Sequence, residues 1–177
     1  RPLWERLHTM VNDYVSNRKS SKGLIGYRAK ITNTREINNT WIDDDCEING
    51  ASCISETTLK GMTEASVFIG HDVICKNSVV MAGASVLDGA KIDNCFVGEA
   101  CHVGRGFSAE SSIFFANSYM DNGEACAAFC GPFSVSHHKA SLLIGVETSF
   151  YNAGSATNFS NHAYKMGPIH YGSLQRG

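Results

Sequence analysis

The chain has no excess charge of either sign, little proline and no long apolar run. Lys+Arg total 15 and Asp+Glu 17 in 177 residues, a formal net charge of −2. That balance excludes the basic footprint of a nucleic-acid binder. No apolar stretch approaches the ~20 residues of a bilayer-spanning helix. With 3 Pro, 43% apolar and 18% charged residues, the composition is globular rather than disordered. There are 7 cysteines but no Cys-x-x-Cys. They read as small buried apolar side chains, unbridged, in a reducing cytoplasmic compartment. Gly-x-Ser-x-Gly is missing, and with it the signature of serine hydrolysis. Gly-x-x-x-x-Gly-Lys-Ser/Thr is missing too, and with it the phosphate loop. Gly98 and Gly104-Arg105-Gly106 precede no helix pattern, so they form no dinucleotide fingerprint. The start, Arg1-Pro-Leu-Trp, has neither an initiator Met nor a signal-peptide pattern. It reads as a piece of a longer protein whose partner domain is missing.

What the chain does have is a repeat of six. Pairs of small or apolar residues two apart recur at Val67/Ile69, Val73/Cys75, Val79/Met81 and Ser85/Leu87. After one-residue slips the pairs resume at Ala90/Ile92, Cys95/Val97 and Cys101/Val103, and less clearly at Phe107/Ala109 and Ile113/Phe115. Upstream they appear at Thr40/Ile42, Cys46/Ile48 and Ser52/Ile54, with a loop expected at 56–66. A separation of two is strand periodicity, both members facing one side. Strands this short bury a face only by stacking on their counterparts one coil away, which is the logic of a solenoid. Gly70, Asp72, Asn77, Gly83, Gly89 and Asn94 between the pairs suit tight corners.

On these pairs and corners the chain resembles the hexapeptide-repeat proteins over roughly residues 29–115. The resemblance implies an all-β, left-handed parallel β-helix of triangular section. We expect about five coils, with Val73, Cys75, Val79, Met81, Val97 and Val103 facing inward. Residues 1–26 read as an N-terminal helix and linker, because Leu3, Leu7, Val11, Tyr14 and Val15 make a helical stripe. Residues 27–130 read as the β-helix, and 131–177 as irregular final coils with a loop-rich extension.

The resemblance also bears on function. The superfamily is dominated by acyltransferases that use acyl-CoA or acyl carrier protein, commonly as homotrimers with sites between subunits. It includes γ-class carbonic anhydrases and the β-helical halves of sugar-nucleotide pyrophosphorylases. The segments Ser136-His-His-Lys and Ser160-Asn-His-Ala-Tyr-Lys-Met-Gly-Pro are similar to those of a little-characterised group of large hexapeptide-repeat proteins. That group carries loose transferase or pyrophosphorylase labels.

Candidate chemistry rests on histidine. His71, in Ile69-Gly-His-Asp-Val, looks like the catalytic rung of the lipid A pathway acyltransferases, which implies a general base. His138 stands where the repeat gives way to polar loops, a common place for function on a rigid scaffold. Lys139 beside it offers positive charge for a phosphate. Asn158, Asn161, His162 and Lys165 offer donors, acceptors and charge to a sugar or nucleotide-sugar substrate. A carbonic-anhydrase-like zinc site is a minor alternative. His102 and His138 are 36 residues apart (138 − 102), which suits its first ligand pair, but the third position falls on Leu143. An open catalytic zinc site needs three protein ligands, so no metal or bound cofactor is expected.

The expected function is therefore acyl transfer to a sugar amine or hydroxyl, with His138 or His71 as base. The rival expectation is a non-catalytic β-helical module that binds a ligand or assembles subunits of a larger sugar-nucleotide enzyme.

Overall fold

A computed structural model describes residues 2–160. Among the described residues one helix, α1 (Pro2–Ser16), is followed by short strands that form three parallel sheets of eight strands each. Sheet A runs from Leu24–Ile25 to Glu147–Thr148, sheet B from Lys30–Thr32 to Asn152–Ala153, and sheet C from Ile37–Asn38 to Asn158–Ser160. Successive strands belong to A, B and C in turn, so the backbone winds as a three-sided solenoid in the arrangement of a left-handed β-helix. The expected five coils are too few: each sheet has eight strands, and regular coil continues through 131–160, where irregular structure was expected.

From Val79 to Tyr119 the coil is one residue shorter than three hexapeptides. Val79 pairs with Phe96 and Phe96 with Ile113, steps of 17 residues (96 − 79, 113 − 96). Two sides advance by six and the third by five: Ile69 to Cys75 is six, Cys75 to Val80 is five (80 − 75), and Val80 to Val86 is six. The short side follows the corner between sheets C and A, which a single left-handed residue turns: Asn77 (φ 47°), Asn94 (φ 53°) and Ser111 (φ 49°). Asn is among the few L residues that visit this region readily, through local side-chain hydrogen bonds. Here its amide also ties neighbouring coils, Asn77 Nδ2 donating to Asp93 Oδ1 at 2.9 Å and Asn94 Nδ2 to Ser111 Oγ at 3.1 Å.

This short side corrects the expected core. Val73, Cys75, Val97 and Val103 are buried as expected. Val79 and Met81 are not interior; Ser78 and Val80 are. Likewise Ala84 and Val86 replace Ser85 and Leu87, and Ser112 and Phe114 replace Ile113 and Phe115. A shift of one residue exchanges the two faces of a strand. A strict period of six therefore places these pairs outside in, because a five-residue step separates Cys75 from Val80, Ile92 from Val97 and Ala109 from Phe114.

The interior is one column of Ile, Val, Cys, Ala and Phe. All seven cysteines are free. Burial pushes the Cys75 thiol up to about 12 and those of Cys101 and Cys130 to about 11. Helix α1 buries none of its residues, so Leu3, Trp4, Leu7, Met10 and Val11 are all exposed. No described helix is long and apolar enough to cross a membrane.

Candidate functional site on the outer face of sheet B

On each strand of sheet B the second residue points inward and its chain neighbours point out. Equivalent outward positions stack one coil apart, and Ser85 pairs with His102, His102 with Tyr119, and Gly104 with Asp121. Residues from three successive coils thus meet on one face.

His102 is the centre. Its Nε2 lies 3.1 Å from Asp121 Oδ1 and its Nδ1 lies 3.3 Å from Ser85 Oγ. The ring stacks on Tyr119, with centroids 4.2 Å apart and an interplanar angle of 12°. The Asp121 side chain is 1% exposed, and its second oxygen lies 3.4 Å from Arg105 Nε. A buried charge must be paired, and Asp121 has two cationic or donor partners. A carboxylate only accepts, so in the neutral ring the hydrogen sits on Nε2 and the Nδ1 lone pair faces the Ser85 hydroxyl. The His102 side chain is 23% exposed, so the ring edge is within reach of a ligand while its orientation is held.

Gly104 makes this approach possible. A Cβ at that position would sit 2.8 Å from both Asp121 Oδ1 and His102 Nε2. Contacts that short do not occur, so any side chain there would force the ring and carboxylate apart.

The expected histidines lie elsewhere. His71 is exposed at a corner between sheets B and C. Its ring covers Gly50 so closely that a Cβ there would overlap it, a packing role for the ring. His137 continues the face of sheet B, edge-on to Tyr119 at 6.1 Å. His138 follows on the corner, and the two Nε2 atoms are 3.0 Å apart. One ring of such a pair donates and the other accepts, so the contact lasts only while at least one is neutral. Lys139 is exposed on the same corner, and its carbonyl accepts from the Ala156 N–H at 3.1 Å. Asn158 opens the last strand of sheet C, paired with Leu142, around the corner from the histidines. Asn161, His162 and Lys165 lie outside the described residues.

The match with known families covers the whole chain. The chain belongs to the family described as Domain of unknown function (DUF4954), whose match spans residues 1–177. No curated protein matches it. Family membership therefore names no reaction, and the site must be read from its geometry. Among the described residues no three His, Cys, Asp or Glu side chains come together to hold a metal ion. An open depression of about 410 Å³ lies on sheet C, between Lys76, Lys91, Ser108, Glu110 and Glu124. The hydrogen-bonded cluster around His102 lies on a different face, that of sheet B.

Sequence reasoning weighed His102 only as a zinc ligand and passed over Ser85, Arg105, Tyr119 and Asp121. The signal was present as residues 85, 102 and 119, spaced by 17 (102 − 85, 119 − 102), but it is legible only to a reader who knows the coil length.

Proposed function

We propose that the protein is an acyltransferase of the hexapeptide-repeat type, with His102 as general base. The observation that carries this reading is the His102 ring held at Nε2 by the buried Asp121, with Nδ1 facing a hydroxyl. The reaction needs a base that removes a proton from an attacking hydroxyl or amine, and a fixed tautomer keeps the accepting nitrogen ready. The donor is an acyl thioester of CoA or a carrier protein, as the resemblance to the hexapeptide-repeat acyltransferases implies. The acceptor is a sugar or nucleotide sugar: Arg105 and Lys139 offer positive charge for its phosphates, and Tyr119, His137 and His138 offer hydroxyl and ring N–H groups for hydrogen bonds. Free thiols throughout the chain suit a reducing, cytoplasmic setting. The test is thiol release from short-chain acyl-CoA with a panel of amino sugars and nucleotide sugars. His102→Gln should lower turnover by roughly 10²–10⁴-fold with the circular dichroism spectrum unchanged. Wild-type turnover in that variant would remove the base.

A second reading, a β-helical assembly module for a larger sugar-nucleotide enzyme, is favoured by sheet A. Its outer face stacks Trp41, Thr58, Val79, Phe96, Ile113 and Phe129 in register. Phe115 bridges Phe96 and Phe129, with centroids 6.0 and 5.3 Å away. Parallel sheets are normally covered on both faces, and the homotrimer implied by the resemblance would supply a cover. Light scattering at tens of micromolar, read beside the thiol-release assay, decides: a trimer without acyl transfer supports this reading and a monomer removes it.

A further inference from the structure

We infer, building on the acyl-transfer reading, that Ser85 is a nucleophile that holds the acyl group covalently between donor and acceptor. Ser85, His102 and Asp121 form a continuous relay of hydroxyl, imidazole and carboxylate, with contacts of 3.3 and 3.1 Å. A nucleophile beside a base that a third group orients is the arrangement that activates a weak hydroxyl. The constellation is defined by geometry and roles rather than by sequence order. Here it is assembled from one residue on each of three successive coils, which is why no local serine motif marks it. The 3.3 Å separation is slightly long, as such hydrogen bonds often are before substrate binds.

The relay has the features of a working pair rather than of packing alone. Ser85 is partly exposed on the outer face, so an incoming carbonyl carbon can reach its Oγ. Its hydroxyl has no other hydrogen-bond partner among the described residues than His102 Nδ1. The interior serines and threonines differ: Ser78, Ser112 and Thr57 each donate to a backbone carbonyl two residues before them. Those hydroxyls are spent on the corners, whereas the Ser85 hydroxyl is directed at a base.

The chemistry balances in two steps. Ser85 Oγ attacks the thioester carbonyl carbon as its proton passes to His102 Nδ1. The C–S bond breaks, and the donor leaves as a thiol carrying that proton. The acceptor hydroxyl or amine then attacks the acyl-serine carbon and gives its proton to Nδ1. The C–Oγ bond breaks and the proton returns to Ser85 Oγ. Asp121 accepts from Nε2 throughout and compensates the imidazolium formed in each step.

The experiment treats the full chain with a fluorophosphonate, which forms an Oγ–P bond on an activated serine and releases fluoride, and maps the adduct by peptide mass. The expected adduct is on Ser85, absent in Ser85→Ala and reduced by roughly 10²-fold or more in rate in His102→Gln. Ser85→Ala should also abolish acyl transfer, and initial-rate kinetics of the wild type should be ping-pong. No adduct on Ser85 at millimolar probe, or an adduct on other serines only, overturns the proposal. Acyl transfer that survives Ser85→Ala but not His102→Gln overturns the nucleophile and leaves His102 as the base for direct transfer. Transfer that survives both variants overturns the base as well.

Discussion

The outer faces of sheets A and B are built on the same interior and, from Val79 to Tyr119, on the same 17-residue step, yet their outward columns differ. Sheet A presents Phe96, Phe115 and Phe129 in ring contact, with Trp41 donating to Asp43 and Asp43 paired with Lys60 nearer its start. Sheet B presents Ser85, His102, Tyr119 and Asp121 joined by hydrogen bonds and a ring stack. In a solenoid the inward residue of each strand is committed to the core, while its neighbours are free of it. The fold therefore sets a ladder spacing, and each face can be written independently. Sheet A reads as a surface to be covered, sheet B as one to meet a ligand.

The largest expected effect comes from breaking what the two faces share. Phe114 is fully buried and meets Phe107 edge-on, with centroids 6.0 Å apart. Phe114→Ala should cost about 3–5 kcal/mol of stability, read as a lower urea midpoint, and impair both faces. Phe129→Ala, on the outside of sheet A, should cost far less in a monomer. Equal costs would mean that sheet A is buried in an assembly.

Next in size is a change confined to sheet B. Gly104→Ala places a methyl group between His102 and Asp121 and should lower turnover about 10²-fold by displacing the ring. A lower melting temperature with an unchanged circular dichroism spectrum is expected alongside, because the buried Asp121 carboxylate loses one of its partners while the core is untouched. Unchanged turnover would show that the ring position does not matter to the reaction.

A smaller and broader effect lies in the interior thiols. Burial holds Cys75 near 12 and Cys101 and Cys130 near 11, above their ordinary value of 9.0. In the unfolded chain these thiols ionise first. Their stabilising contribution is thus fully present below about pH 9 and lost as pH rises toward 11–12. Urea midpoints should fall across that window, and native thiols should react with a disulfide reagent much more slowly than denatured ones. A midpoint flat from pH 8 to 11 would contradict the assigned burial.

How much of this was legible in the sequence follows from the length scale of each feature. The members of the pairs Val67/Ile69 and Cys101/Val103 are two residues apart on one side of a coil, so they revealed strand and solenoid directly. Val79/Met81 came out on the wrong face because the five-residue side was invisible to a strict period of six. His138 was singled out for the break in pattern near it, and the coil in fact continues past it. The relay was the least legible. Its members lie 17 and 19 residues apart (102 − 85, 121 − 102), and neither contact has a local motif.

The central claim is that Asp121 fixes the His102 tautomer so that Nδ1 accepts from Ser85. Nitrogen-15 NMR of the imidazole rings measures this directly. The account predicts that neutral His102 carries its hydrogen on Nε2, and that Asp121→Asn, whose amide can accept or donate, loosens that preference. A neutral His102 protonated on Nδ1 would leave Ser85 accepting rather than donating and would contradict the account.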